Sequence, residues 1–387
     1  MSTVTSAGPP DVEPASGGPA ARDGWDRPRA VSEKTSDYWL SLTGSMLGSL
    51  GLVWVLYTQV LPFTGPIGFV ICWFVCYLAM FAVVTALAHG RLIVIDRLWT
   101  AIITGAAGLV GLALVSAVGY IVVRGWPAVH HLNFFTKPES ASSPTAPLTQ
   151  GGILNAIIGS LFELSVATAV SLPLGIATAI YMVEVGGRFA RVVRTVVEAM
   201  TALPDILAGL FIYTFLIIGL GVQRSGFAAG VALSVMMLPI IARSADVALR
   251  VVPGGLREAS YALGSTQWRT VWSVVLPTQR TGLATAVILG MARAVGETAP
   301  VLITSGASTF TNPTWSQLGS CVTLHWANCG PLNEPMNSLP LYIFTAVRSG
   351  LTLFIVRGFG AGIVLLAMVL ILFGTARFLS RSKVARR

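Results

Sequence analysis

The chain has 387 residues, of which 54% are hydrophobic and 11% charged, with a mean hydropathy of +0.75; an ordinary soluble domain is about 25% charged. So little polar surface cannot cover two or three water-soluble domains, and the composition specifies an integral membrane protein. Four cysteines and four histidines are too few for a disulfide framework or a cysteine-rich zinc array, while the net charge of +9 fits either a nucleic-acid footprint or a topology signal until its distribution is read.

Residues 1–37 hold Pro9, Pro10, Pro14, Pro19 and Pro28 among glycine, serine and charge. They read as a disordered cytoplasmic tail, too long and too polar to open a signal peptide. About 20 mainly apolar residues are needed to cross the hydrocarbon layer. Eight stretches qualify: roughly 40–61, 67–88, 99–123, 154–183, 196–221, 226–248, 281–304 and 357–379. The first two make an N-terminal hairpin over 38–90, turning at Pro62–Pro66. The fourth is long for one crossing, which predicts a tilt or a kink at Pro173. No period-2 alternation suggests a barrel. Residues 339–356 are apolar too, but Arg348 near their middle costs about 2.5–3.5 kcal/mol on insertion scales. They read as an outer-surface or re-entrant helix. Residues 381–387 form a basic cytoplasmic tail.

With the amino terminus placed inside, nineteen of the 25 Lys and Arg residues fall on the cytoplasmic side. Arg124, Lys137, Arg224, Arg348 and Arg357 fall outside, and Arg293 lies within a span. This is a positive-inside pattern with both termini cytoplasmic. The charge marks topology, and nucleic acid is excluded as a partner.

The largest cytoplasmic segment, 249–280, runs from Pro253-Gly-Gly-Leu-Arg257-Glu258-Ala259-Ser260-Tyr261-Ala262-Leu263-Gly264 to Val274-Val-Leu276-Pro277. Helix formers on both sides of a glycine predict a short helix–turn–helix on the membrane surface. Glu258, following Pro253 and Gly255, is expected near a helix N-terminus, where the dipole favours a carboxylate. An ordinary basic interfacial loop is the alternative. The spacing resembles the Glu-Ala-Ala loop of ABC importer permeases, with Ser260 at the second Ala and Val274 where Ile is frequent. The resemblance implies that Arg257, Glu258, Ala259, Gly264, Leu276 and Pro277 belong to a coupling element that docks into a cytoplasmic ATPase.

The seventh stretch contains Gly290-Met-Ala-Arg293-Ala-Val-Gly296-Glu297-Thr298-Ala-Pro300. Arg293 and Glu297 are four apart and share a helix face. A charge-neutralising pair is one reading. A place on a pathway is the reading favoured, because ionisable residues inside a bilayer mark aqueous routes and arginine offers a donor fork for oxyanions. Arg-Ala-x-Gly-Glu-Thr-Ala-Pro after Arg-Glu-Ala-x-Tyr-Ala-Leu-Gly resembles the PstA-type permeases of bacterial phosphate transporters. So do Gly151-Gly-Ile-Leu-Asn155-Ala-Ile-Ile-Gly159-Ser, Leu203-Pro204-Asp-Ile-Leu-Ala-Gly209 and Leu238-Pro239-Ile-Ile-Ala-Arg243, over about residues 96–379.

The resemblance implies an all-α integral membrane fold: six helices of a type I ABC importer (MetI-like) core over 96–380, plus the two-helix extension. It implies Arg293, Glu297 and Thr298 on a phosphate pathway in the bacterial inner membrane. The partners it implies are a PstC-like second permease, a cytoplasmic ATPase dimer and an extracytoplasmic phosphate-binding protein. Transport of another oxyanion such as phosphonate, sulfate or molybdate, and an added role as a scaffold in phosphate signalling, stay open as alternatives.

Glu163 in the fourth stretch and Asp205 after Pro204 are each open to a pathway role. The readings favoured are an interfacial carboxylate for Glu163 and a helix cap near the cytoplasmic surface for Asp205. Cys321-x3-His325-x3-Cys329 falls short of a tetrahedral zinc set, so a disulfide between Cys321 and Cys329 is the simpler expectation in an oxidising compartment. Cys72 and Cys76 read as reduced core residues. The sequence has no Gly-x4-Gly-Lys-Ser/Thr loop and no nucleophile elbow. Neither a cofactor nor an activity of its own as an enzyme is expected, and ATP hydrolysis is assigned to partner subunits.

Overall fold

The computed structural model describes residues 36–60, 65–309 and 334–380. Among these residues the chain is helical between its turns, and the one β contact is an isolated bridge between Gly306 and Met336. It divides into two compact units, residues 1–113 and 114–387.

In the first unit, α1 (Ser36–Val55, continued by a π turn to Val60) packs on α2 (Pro66–Ala88). Pro66 occupies the first turn of α2, where its missing N–H leaves no helical bond unmade. Gly48 lets the Met80 side chain lie against α1, since a Cβ there would meet Met80 Cε. Val53, Phe81, Ser45, Ser49 and Thr85 are buried between the helices, and Tyr77 stacks on Phe81. Leu47, Leu52, Ile67 and Leu87 are exposed, as a lipid solvent requires. A third helix, α3 (Arg91–Val129), runs from this unit into the second. At 39 residues it is longer than the stretch expected at 99–123, because the charged segment from Arg91 continues the helix at its N-terminal end.

The second unit is built around α5 (Leu154–Ile180) and α8 (Gly226–Arg250), with a short α4 (Asn133–Thr136) preceding them. On α5, Ser160, Leu164, Ala167, Ser171, Gly175 and Ala179 recur at helical spacing and are buried. Small residues on that stripe bring the two backbones together: a Cβ on Gly175 would meet Ile241, and one on Gly230 would meet Val166. Leu164, Ala229, Leu233, Met237 and Ile241 form the central cluster with Ala294 and Val301. The helix α5 passes unbroken through Pro173, and the irregularity comes later, in a π turn at Tyr181–Val185.

Six helices are long and apolar enough to cross a membrane among the described residues, or seven if one bent pair is a single span. The stretch expected at 196–221 is that pair. It comprises α6 (Gly187–Thr201) and α7 (Asp205–Ile212, continued by a π turn to Gly219), bent by 104°. Pro204 drives Leu203 out of the helical region, and α6 carries Arg188, Arg191, Arg194 and Glu198, so its valines line one side of an amphipathic helix rather than a span. The stretch expected at 281–304 is likewise divided, into α12 (Arg280–Val295) and α13 (Ala299–Thr304). Pro300 lies in the first turn of the second piece.

Residues 339–348 form α14 (Leu339–Arg348), ten residues long and too short to cross. Gly350, at a φ of 73°, makes the turn into α15 (Thr352–Ser380). Near the start of α15 the guanidinium of Arg357, 4% exposed, donates to the carbonyls of Ser143, Ala146, Pro147 and Gln150 at 2.8–3.3 Å. It ties the 142–151 loop to the bundle. Asn155 Nδ2 donates to Ser308 O, and Asn337 Nδ2 to Glu139 Oε2. Burial pushes the Glu139 carboxyl up from the usual range, against the pull of Asn155, Asn337 and Arg357.

A Cβ on Gly159 would overlap the Asn337 carbonyl, which is backbone and cannot rotate aside. Gly159→Ala is therefore expected to destabilise the second unit by about 1–3 kcal/mol, the usual cost of overpacking. A thermal scan of the purified protein reads this as a lower Tm, and an unchanged Tm contradicts the packing.

Candidate functional site

The break between α12 and α13 carries a cluster of three ionisable side chains. Arg293 lies in the last turn of α12, where a cation is favoured by the helix dipole. Asp205 is the first residue of α7, where a carboxylate is favoured for the same reason. Close packing of α7 on α13 brings the two together: a Cβ on Gly209 would lie 2.6 Å from Pro300 Cα. The Arg293 guanidinium donates from Nη2 to Asp205 Oδ2, and its Nη1 pairs with Glu297 Oε1 at 3.0 Å. The side chains of Arg293, Asp205 and Glu297 are 50%, 34% and 12% exposed.

The i,i+4 pair expected from the sequence is therefore present, but it is half of the arrangement. Asp205, read as a cap, both opens α7 and accepts from Arg293. Its 88-residue separation from Arg293 hides that contact, and the available signal was a Pro-Asp step at the interruption of an apolar run. A cleft of about 70 Å3 opens beside the cluster, walled by Arg293, Asp205, Thr201, Met236, Pro239 and Ile240 among others. Thr298 directly precedes α13 and is half-buried, its carbonyl accepting from Leu302 N at 2.9 Å.

Chemically, the cluster is a guanidinium held in a cage of two carboxylates, with half its surface open. An incoming oxyanion with planar paired oxygens matches the fork, and must displace the carboxylates to use it fully. The cage keeps the arginine neutralised while no anion is present.

Glu163 is not at an interface. It is 2% exposed on the buried face of α5, and it lines a small cavity together with Glu297.

The 249–280 segment forms α9 (Gly254–Ala262), a turn, and α10 (Gln267–Thr270), followed by a π turn at Val271–Val275 and α11 (Leu276–Thr278). Gly264, at a φ of 79°, ends α9 in the left-handed conformation that glycine tolerates. The Ser260 and Thr270 hydroxyls, 2.9 Å apart and buried, join the two arms. The helix α9 is anchored by Arg257, which donates to Glu184 Oε1 at 2.9 and 3.1 Å and to the carbonyls of Leu249 and Val252 at 3.0 and 2.8 Å. Leu276 packs on the buried cluster of Ala179, Ala245 and Leu249. Glu258 and Ala259 face outward. Glu258 is the fifth helical residue, not one of the first turn, because α9 begins already at Gly254. Trp268 and Trp272 meet edge to face at 5.6 Å and are both exposed, as are Leu263 and Tyr261. Cys321 and Cys329 lie outside the described residues.

Residues 171–383 match the protein family described as "Binding-protein-dependent transport system inner membrane component". The chain is 36% identical over 250 residues to the "Phosphate transport system permease protein PstA 1" of Mycobacterium tuberculosis (strain CDC 1551 / Oshkosh), which covers 64% of this chain and 76% of that protein. It is 37% identical over 271 residues to the "Phosphate transport system permease protein PstA" of Mycobacterium leprae (strain TN), covering 69% and 83%. The Haemophilus influenzae protein of the same name is 33% identical over 234 residues, covering 60% and 74%.

Proposed function

The chain belongs to the family of binding-protein-dependent transport system inner membrane components, and from that premise we propose that it is the permease subunit of a phosphate ABC importer. It is a multi-pass inner-membrane protein that moves inorganic phosphate with energy supplied by a partner ATPase. A second permease chain of the PstC type, an ATPase pair and an extracytoplasmic phosphate-binding protein complete the transporter. Both termini lie on the cytoplasmic side, where nineteen of the 25 basic residues fall. The domain plan is a tail at 1–37, an accessory hairpin at 38–90, the permease domain at 96–380 and a basic tail at 381–387.

The observation that carries the reading is Arg293 held between Asp205 and Glu297 beside an open cleft. A fork of donors whose counter-ions are carboxylates can exchange them for phosphate oxygens without rebuilding the helix. Arg293, Glu297 and Thr298 line the route. On the cytoplasmic side, the segment from α9 through the π turn after α10 presents Leu263, Trp268 and Trp272 outward, an apolar face suited to a groove in the ATPase. Arg257 and Leu276 hold that element to the bundle, while Glu258 and Ala259 meet the partner.

Labelled phosphate uptake in cells deprived of this chain, then supplied with it, tests the substrate. Uptake is expected to return, and a large excess of sulfate or molybdate is expected to leave it unchanged. Restoration of sulfate uptake in place of phosphate overturns the assignment.

A further inference from the structure

The mechanism above leaves one buried carboxyl unused. Glu163 is 2% exposed, and its Oε1 accepts no hydrogen bond from the protein. It faces a cavity of about 10 Å3, into which Glu297, Ser160 and Ser338 also project. Such a volume is about what one water needs, provided it finds two to four polar partners. Here the polar groups are Glu163 Oε1 and the Ser338 hydroxyl, neither of which makes a well-formed hydrogen bond though the two side chains interact, with Glu297 also on the wall. Ser160 Oγ is already engaged by the Leu339 N–H at 2.7 Å. The α8 and α12 residues on the wall, Leu233, Ala294 and Val295, are apolar. The ionisable groups in reach are thus Glu297 on the wall and Arg293 and Asp205 behind it.

We propose that Glu163 is a positioning residue for the phosphate route: through the single water admitted by this cavity it holds the Glu297 carboxylate in place against Arg293. The inference rests on the reading of Arg293 and Glu297 as route residues. Its physical argument is one of misfit. A leucine at this position of α5 would carry no polar atom of its own into the cavity, whereas an unpartnered buried polar group costs about 1–3 kcal/mol. A group kept against stability in a membrane interior belongs to the route rather than to the packing.

The test compares Glu163→Leu, Glu163→Gln and Ser338→Ala in the intact transporter, with Arg293→Ala in parallel. Glutamine keeps a hydrogen-bonding end group of the same shape, and leucine does not. Glu163→Leu is expected to assemble with a Tm no lower than wild type while its maximal phosphate uptake falls about tenfold at an unchanged half-saturating concentration. Glu163→Gln is expected to stay within about twofold of wild type. Wild-type uptake by Glu163→Leu overturns the proposal, and so does an equal loss in both variants. Should Glu163→Leu not assemble, Ser338→Ala decides, since it removes only a hydroxyl from the facing wall. A two- to fivefold loss, on the order of one hydrogen bond, supports the proposal, and a wild-type rate overturns it. Full uptake by Arg293→Ala would bring down the route itself; loss there with wild-type Glu163→Leu brings down this inference alone.

Discussion

Arg293→Ala is expected to reduce phosphate uptake by at least about a hundredfold, equivalent to roughly 2.7 kcal/mol of barrier. Two effects act in the same direction. The substitution removes the donor fork that would receive the phosphate, and charge-assisted hydrogen bonds of this type contribute about 1.5–3 kcal/mol each. It also leaves Asp205 on the cleft wall and Glu297 behind it without their shared cation, so that the approaching anion meets carboxyl groups with no counter-charge. Half of the Arg293 side chain is exposed, so solvent screens part of the repulsion and the chain is expected to assemble normally. Arg293→Lys keeps the charge but cannot span both carboxylates, and an intermediate loss of about tenfold is expected, near the value of one such bond. The measurement is the initial rate of labelled phosphate entry, normalised to assembled transporter. A rate near wild type in the alanine variant is incompatible with a phosphate route through this cluster.

The features legible in the sequence were those carried by local spacing. Arg293 and Glu297 could be paired because four residues bring side chains to one helix face, and the turn at Gly264 could be read because glycine between helix formers ends a helix. What stayed hidden depended on direction and on backbone. Apolarity at 196–221 does not say that the chain turns by 104° after Ala202, because composition is summed along the chain while Pro204 acts at one peptide. Asp205 reaches Arg293 only through the close approach of Gly209 to Pro300, a contact between residues 91 positions apart. Arg357 was visible as a charge near a helix start. Its role as a clamp was not, since the four carbonyls it binds carry no residue signature. Glu163 could be placed in an apolar helix, but whether it faced lipid, interface or a neighbouring carboxyl required the packing of α5 against α8, α12 and α14.

Arg257→Ala is expected to uncouple the transporter, lowering the phosphate moved per ATP hydrolysed by about tenfold or more. Arg257 is the tether of α9: it reaches Glu184 in the π turn following α5, the Leu249 carbonyl in the last turn of α8 and the Val252 carbonyl just beyond it. The side chains of Arg257 and Glu184 are 18% and 5% exposed, so the pair is screened little. Removing the arginine alone leaves a buried carboxylate unpaired and the Val252 carbonyl without the guanidinium donor, at a cost of about 3 kcal/mol, the low end for a broken buried pair. Loss of stability and loss of coupling can be separated by removing both partners. Arg257→Ala with Glu184→Ala no longer buries an unpaired charge, and its assembly is expected to recover toward wild type. Coupling is not expected to recover, because a pull or push on α9 then has no rigid path into α5. Proteoliposomes that hydrolyse ATP while moving little phosphate would show the tether at work; a double variant that regains full stoichiometry would reduce Arg257 to a stabilising residue.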